Sequence, residues 1–440
     1  MPEPTDTSPH VRPPRYLTED VKGIGGRLKE RPEDFVVEEA PLYEPSGEGE
    51  HVYLLVEKRG VTAIDMVATI ARHFRVPRRA VGYAGLKDKQ AITRQYVSVH
   101  MPGRPIEDVP AFDHPRIAIL SATRHGNKLR RGHLAGNRFS IRVRGVDPTA
   151  AVAAKRALNT LERLGVPDRV GPQRFGFLSN NHMIGRAMFL RDFDAAVEEL
   201  LGPARYTQTP EDQAEARDLY VKRDFQAARA AMPKFLRTER VVLEALGAGE
   251  NPEQAILSID PGILSYYLSA FQSAVFNAAL EDRIERGLLG TLLEGDVAMR
   301  HKGRKLFDVD DVILAQDDTA ERLQTIEISP TGPMWGSTMR EASGVPGESD
   351  RAALASFGVR PEDFARAEEL GAEMTRGDRR PYRVPIRDIE VEGGTDDHGV
   401  YVRCAFDLPR GAFATTVMDE VMKNVPDAGR DDDGENDSER

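Results

Sequence analysis

Hydrophobic positions recur with the period of strands near both ends of the chain and with the period of helices through its middle. Glu33–Glu39 (EDFVVEE) and His51–Lys58 (HVYLLVEK) read as strands joined by a Pro/Gly-rich turn ending in GEGEH. Val67, Ile70, Ala71 and Phe74 line one face of a helix over Thr62–Phe74, opened by Thr62 and Asp65 as a capping pair. Short strands are expected at Ala80–Ala84 and Gln95–Val99, with polar, glycine-led Gly85-Leu86-Lys87-Asp88-Lys89 between them as a loop. Phe139, Ile141 and Val143 alternate with Ser140, Arg142 and Arg144, which predicts a strand with one buried and one basic face. Asp147-Pro148 then starts a helix that runs to Leu164 and stops at Gly165. After Gly185 the chain turns helix-rich, with helices expected over Arg191–Leu200, Pro210–Met232 and Leu264–Gly287. Alternation returns at Gly399–Leu408, and Leu408-Pro409-Arg410-Gly411 turns into an amphipathic segment ending near Asn424. Strands, then helices, then a strand again predict an insertion within one domain, and no repeat of solenoid period is present.

With 440 residues, 40% hydrophobic and 30% charged, the chain is long and apolar enough for two or three folded domains. The first 15 residues hold five prolines and no apolar period, which reads as a disordered arm. One cysteine, Cys404, excludes a disulfide framework and paired-thiol chemistry, and its apolar strand setting reads as a buried, inert thiol. No uncharged apolar run approaches the roughly 18 residues of a membrane span, and the start lacks a basic-then-apolar leader, so a cytoplasmic protein without a membrane partner is expected.

Net charge is -11, which read alone argues against a polyanionic partner. Its distribution reverses that reading. His114–Arg144 carries eight Arg or Lys and no acid, while Asp427–Arg440 carries seven acids and two bases. A basic segment in an acidic chain predicts a nucleic-acid groove, against the plainer alternative of an exposed strand pair with charged faces. Lysine is scarce (12 against 48 Arg), which fits a halophile and equally a GC-rich genome.

Candidate chemistry is sparse. The ten histidines form no metal-ligand spacing, and Gly23-Ile24-Gly25-Gly26 lacks the residues of a phosphate loop and reads as a turn. Lys87-Asp88-Lys89 is different: two ammonium groups beside a carboxylate favour its charged form. On its own, such a triplet is most simply a solvated turn.

The sequence around it changes that. Tyr83–Thr93 (YAGLKDKQAIT) closely resembles the catalytic signature of the TruD family of tRNA pseudouridine synthases. Further blocks agree in order: KERPEDFVV at Lys29–Val37, GEGEH at Gly47–His51, KLRRGHLAGNRF at Lys128–Phe139, GVPDRVGPQRFG at Gly165–Gly176, SAFQSAVFN at Ser269–Asn277 and LPRGAFATT at Leu408–Thr416. The resemblance implies an α/β (α+β) fold, a pseudouridine-synthase domain around an antiparallel sheet, interrupted by a helix-rich insertion domain. The expected bounds are a disordered arm over residues 1–20, a catalytic domain over 21–184 and 372–425, the insertion over 185–371 and an acidic disordered tail over 426–440. An archaeal source, haloarchaeal from the charge balance, is expected.

What the family implies is an isomerisation of uridine within RNA, here uridine-13 of the tRNA D-arm, with tRNA as partner, no cofactor and no obligatory protein partner. RNA would lie in a basic cleft between the two domains. Asp88 matches the catalytic aspartate, as nucleophile or as base, and Lys29 a lysine beside it. Phe35 and Phe413 match aromatic positions of the uracil pocket; taken singly, both would be assigned to the core. Lys87, Lys128, Arg130, Arg131, Asp168 and Arg174 complete the expected substrate contacts. One block departs: Asp168, Arg169 and Val170 stand where the family usually has Asn, an aromatic residue and Phe. Val170 removes a stacking face, and Asp168 beside Asp88 would raise one carboxyl pKa unless Arg169 intervened. The rival readings are a non-catalytic RNA-binding protein of the same fold and an Asp-nucleophile hydrolase or phosphotransferase. The second requires metal-binding carboxylates where this loop has lysines.

Overall fold

The computed structural model describes residues 15–106, 111–364, 371 and 376–424. It divides into two compact units, one formed by Tyr16–Val166 with Val384–Val425, the other chiefly by Pro167–Arg383.

The first unit is built on one mixed sheet. Its strands before the insertion are β1 (Phe35–Pro41), β2 (His51–Arg59), β3 (Val81–Tyr83), β4 (Ile92–His100), β5 (Ile117–His125) and β6 (Leu134–Arg144), with helices α1 (Ala63–Phe74) and α2 (Ala151–Leu164). In the inserted unit, a helix at Asn181–Phe189 precedes the 25-residue α3 (Pro261–Glu285), and β7 (Ile328–Met334) pairs antiparallel with β8 (Asp378–Pro381). The closing segment adds β9 (Arg387–Asp396), β10 (Gly399–Pro409) and α4 (Ala414–Met422). Strand order in the large sheet is β9-β10-β6-β1-β4-β2-β5, with β3 alongside β4. All pairings are antiparallel except β1 with β4.

Period-two patterning explains which faces are buried. Phe35 and Val37 of β1, Phe139, Ile141 and Val143 of β6, and Val402, Cys404 and Phe406 of β10 form one core with Leu158 and Leu161 of α2 and Val417 and Val421 of α4. Val52, Leu54 and Val56 of β2 form a second core with Met66, Ile70 and Phe74 of α1. Thr62 caps α1 by accepting from the Asp65 amide, as the sequence pattern predicts. Burial pushes the Cys404 thiol up to about 12, so it is an inert core group.

Several expectations need correction. Part of the arm expected over residues 1–20 packs on the fold: Thr18 is buried, and its amide and hydroxyl both donate to the Glu420 carboxylate of α4. Residues 1–14 and the acidic tail lie outside the described residues. Gly185, the expected start of the insertion, lies inside the helix Asn181–Phe189, where a Cβ would meet the Tyr267 carbonyl of α3. It is therefore a close-packing position between two helices. The unit also extends past 371, because β8 pairs with β7. The helix expected over Pro210–Met232 is two, Glu211–Val221 and Phe225–Ala231, broken at Arg223 (φ 60°), with Asp224 capping the second. The strand at Gln95–Val99 starts earlier, at Ile92, because β1 and β2 both pair there.

Candidate active site

The loop Ala84–Ala91 leaves β3 and enters β4. At that point β1 pairs in parallel with the first residues of β4 (Val36 with Ile92), so the N-terminal ends of two neighbouring strands converge on the loop. Lys29 precedes β1 and adopts the left-handed backbone region (φ 54°). Its ammonium reaches the Asp88 carboxylate, Nζ to Oδ2 2.6 Å, and also lies 5.1 Å above the Phe35 ring. The other carboxylate oxygen, Oδ1, accepts from the Gln90 amide at 2.9 Å, a local turn that orients the side chain. The Asp88 side chain retains 34% exposure, so the carboxylate is fixed by two partners and still open to solvent.

Below the loop the contacts are buried. Lys87 points inward, away from solvent: its Nζ is 3.0 Å from Glu39 Oε2 and donates to Asn137 Oδ1 at 2.6 Å. The substrate contact expected of Lys87 is thus corrected, because an ammonium anchored in the interior has no free reach to a phosphate. Burial raises the Glu39 pKa and Lys87 opposes that shift. Lys58 of β2 donates to the Lys87 carbonyl at 3.2 Å and to the Asp88 carbonyl at 2.8 Å. Gly132 donates to the Ala84 carbonyl.

The two aromatic candidates part company. Phe35 is 5% exposed, edge-on to Phe139 at 6.3 Å, and its accessible role is to carry Lys29 on its face. Phe413, 46% exposed, caps the start of α4. Its turn is tied to the same neighbourhood, since Arg410 donates to the carbonyls of Gly132 and, through its amide, Ala135, and Gly411 takes the positive φ (83°) that the turn requires.

The basic segment is less free than its sequence. Arg138 pairs with Glu390 and Asp407, Arg142 lies 4.0 Å from Asp396, and Arg144 is buried between Asp34 and Asp396. Arg124 donates to the Gly49 carbonyl. The acids lie on β9 (Glu390, Asp396), on β10 (Asp407) and just before β1 (Asp34), all distant in the chain. Lys128, Arg130 and Arg131 lie on the connection into β6; Lys128 donates to the Arg79 carbonyl, Arg131 to the Tyr83 hydroxyl, and Arg130 and Arg131 are exposed.

Asp168, Arg169, Val170 and Arg174 belong to the inserted unit. The cation beside Asp168 is Arg380, not the adjacent Arg169: Asp168 Oδ1 accepts from Arg380 at 2.7 Å, and Arg169 pairs with Glu281 at 2.6 Å and donates to the Arg15 carbonyl. Burial, opposed by Arg380, pushes the Asp168 carboxyl up to about 6. The Val170 backbone is held at both amide and carbonyl by the Asn277 side chain, 2.9 Å each. Arg174 lies over the Tyr266 ring at 4.8 Å. Among the described residues no group of three His, Cys, Asp or Glu gathers as metal ligands, and no helix is long and apolar enough to cross a membrane.

Residues 14–421 match the family described as tRNA pseudouridine synthase D (TruD). The chain is 45% identical over 413 residues to tRNA pseudouridine synthase D of Geobacter metallireducens, covering 93% of this chain and 98% of that one. It is 42% identical to the protein of the same name from Syntrophotalea carbinolica, covering 93% and 98%. A solved structure from Methanosarcina mazei carrying the TruD name superposes with a TM-score of 0.81 at 27% identity, covering 93% of this chain and 96% of that one. The relatives at 42–45% identity are bacterial, so similarity does not point to the archaeal source that the charge balance suggested. With its signature loop, sheet and insertion matched over nearly its whole length, this chain belongs to the TruD family of tRNA pseudouridine synthases.

Proposed function

We propose that this protein isomerises uridine to pseudouridine in tRNA, at uridine-13 of the D-arm, with Asp88 as its catalytic carboxylate. In that reaction the bond from base N1 to ribose C1′ breaks, the base turns, and C5 bonds to C1′. The hydrogen displaced from C5 leaves as a proton and N1 gains one, so no oxidant or energy source is consumed. The observation that carries the reading is the Asp88 carboxylate, gripped by Lys29 at 2.6 Å on a loop anchored from below and yet one-third exposed. A held yet exposed carboxylate suits either attack on the ribose or removal of a proton from it.

A uracil taken out of its stack requires a new partner for its ring, and the exposed Phe413 is the aromatic surface for it. Phe35 acts underneath, by positioning Lys29. Lys128, Arg130 and Arg131 supply cations for the phosphates. The test is conversion of an unmodified tRNA transcript, with the modified position mapped, by the wild type and by Asp88→Asn. The variant is expected to fold, to bind the transcript and to make no pseudouridine. Turnover by a folded Asp88→Asn protein would falsify the assignment, and modification elsewhere in the tRNA would overturn the position.

A further inference from the structure

The core face of β2 carries one residue that its pattern does not call for. Val52, Leu54, Val56 and Lys58 point to the same side of the strand, and the three valine and leucine side chains are buried in the core against α1. Lys58 is in phase with them and 0% exposed. An aliphatic residue would continue the pattern, whereas a buried ammonium loses its hydration and must find acceptors inside the protein. Those it finds include the carbonyls of Lys87 and Asp88, at 3.2 and 2.8 Å.

We propose that Lys58 is a positioning residue for the reaction: from the core face of β2 its ammonium holds the backbone of the loop that presents Asp88. Lys29 and Lys58 then act from opposite sides of one residue, Lys29 on the carboxylate and Lys58 on its peptide carbonyl. The loop lies between β3 and β4 and is outside the strand ladders, so side-chain donors do the work that neighbouring strands do elsewhere: Gln95 reaches the Gly85 carbonyl, and Lys58 those of Lys87 and Asp88. Charge-assisted hydrogen bonds to both carbonyls fix two successive peptide planes, and with them the direction of the Asp88 side chain. A misplacement on the order of 1 Å at such a group costs about a hundredfold in rate.

The inference rests on Asp88 being the catalytic carboxylate. It is tested in the full chain with Lys58→Met, which keeps the stem and removes the donors, and with Lys58→Gln, which keeps a shorter neutral donor and serves if the first does not fold. Single-turnover rate at saturating enzyme, equilibrium affinity for an unmodified tRNA transcript, and amide exchange across Gly85–Gln90 are measured together. The expected result is a rate lower by about tenfold to a hundredfold, affinity within about twofold of wild type, and faster exchange confined to the loop. A folded variant of either kind that turns over at the wild-type rate overturns the proposal. So does a rate loss matched by an equal loss of affinity with the loop's exchange unchanged. Asp88→Asn serves as the control: if it is inactive while the Lys58 variants are fully active, only the role of Lys58 fails, and if it is active, the reading of Asp88 fails first.

Discussion

At the scale of single residues the candidate site separates exposed groups from buried groups that hold others in place. Phe413 and Phe35 illustrate the division, one ring exposed and the other enclosed in the core. Phe413→Ala is expected to lower turnover by about tenfold or more, the loss of roughly 1.4 kcal/mol of stacking, with thermal stability unchanged. Phe35→Ala is expected to lower both, because it opens a cavity beside Phe139 and removes the ring under Lys29. Melting curves beside the rates separate the two, and a melting loss in Phe413→Ala equal to that in Phe35→Ala would contradict the division. Asp168 gives a prediction in pH. Its folded pKa, about 6, lies above the ordinary value of 3.8. The native state therefore holds its proton longer than the unfolded chain does, and its contribution to stability falls as pH rises from about 4 to 6. Asp168→Asn, which does not titrate, should gain stability relative to wild type across that window, by roughly 3 kcal/mol at most from a shift of about two units. Denaturant titrations at pH 4 and pH 7 measure it; a constant difference between the proteins would show that Asp168 is not perturbed.

At the scale of elements, β6 shows why a charge run cannot be read as a charged surface. Arg138, Arg142 and Arg144 meet Glu390, Asp396 and Asp407 because β10 pairs with β6 and brings β9 beside it. On the connection before β6, Lys128 donates to the Arg79 carbonyl, Arg131 to the Tyr83 hydroxyl, and Arg130 and Arg131 are exposed. Reversing Lys128, Arg130 and Arg131 to Glu should weaken tRNA binding and flatten the slope of log K against log salt by about three counterions. Arg138→Glu should instead lower thermal stability, since it places a third acid beside Glu390 and Asp407. Binding isotherms at several salt concentrations decide between the two sites, and an unchanged slope in the triple variant would place the RNA elsewhere.

At the scale of the whole molecule, the inserted unit interrupts a domain whose core is complete without it. Val166 and Val384, the residues on either side of the insertion, are buried in the same hydrophobic cluster. A chain in which residues 16–166 are joined to 384–425 by a short Gly/Ser linker is therefore expected to fold with a cooperative melting transition. It should lack turnover on tRNA, because Arg174 and the rest of Pro167–Gly176 go with the insertion. Failure to melt cooperatively would mean that the core needs the inserted unit.

What the sequence by itself determined is whatever neighbouring residues encode. Strand alternation at β6 and β10, the Thr62 cap of α1, the Gly165 stop of α2 and the signature around Asp88 are all local, and each was readable within about a dozen positions. The lysine in phase with Val52, Leu54 and Val56 was readable too, as a charge on an apolar face, although nothing along the chain said which carbonyls it meets. Tertiary structure alone decided the partners. Lys87 turns inward because Glu39 and Asn137 lie beneath it, and Arg138 is neutralised by Glu390, 252 positions away. Asp168 finds Arg380 across 212 positions in place of the adjacent Arg169. Gly185 looks like a boundary until Tyr267 is seen against it. The physical reason is common to these cases: burial and Coulomb energy depend on distance in space, while composition and periodicity record only distance along the chain.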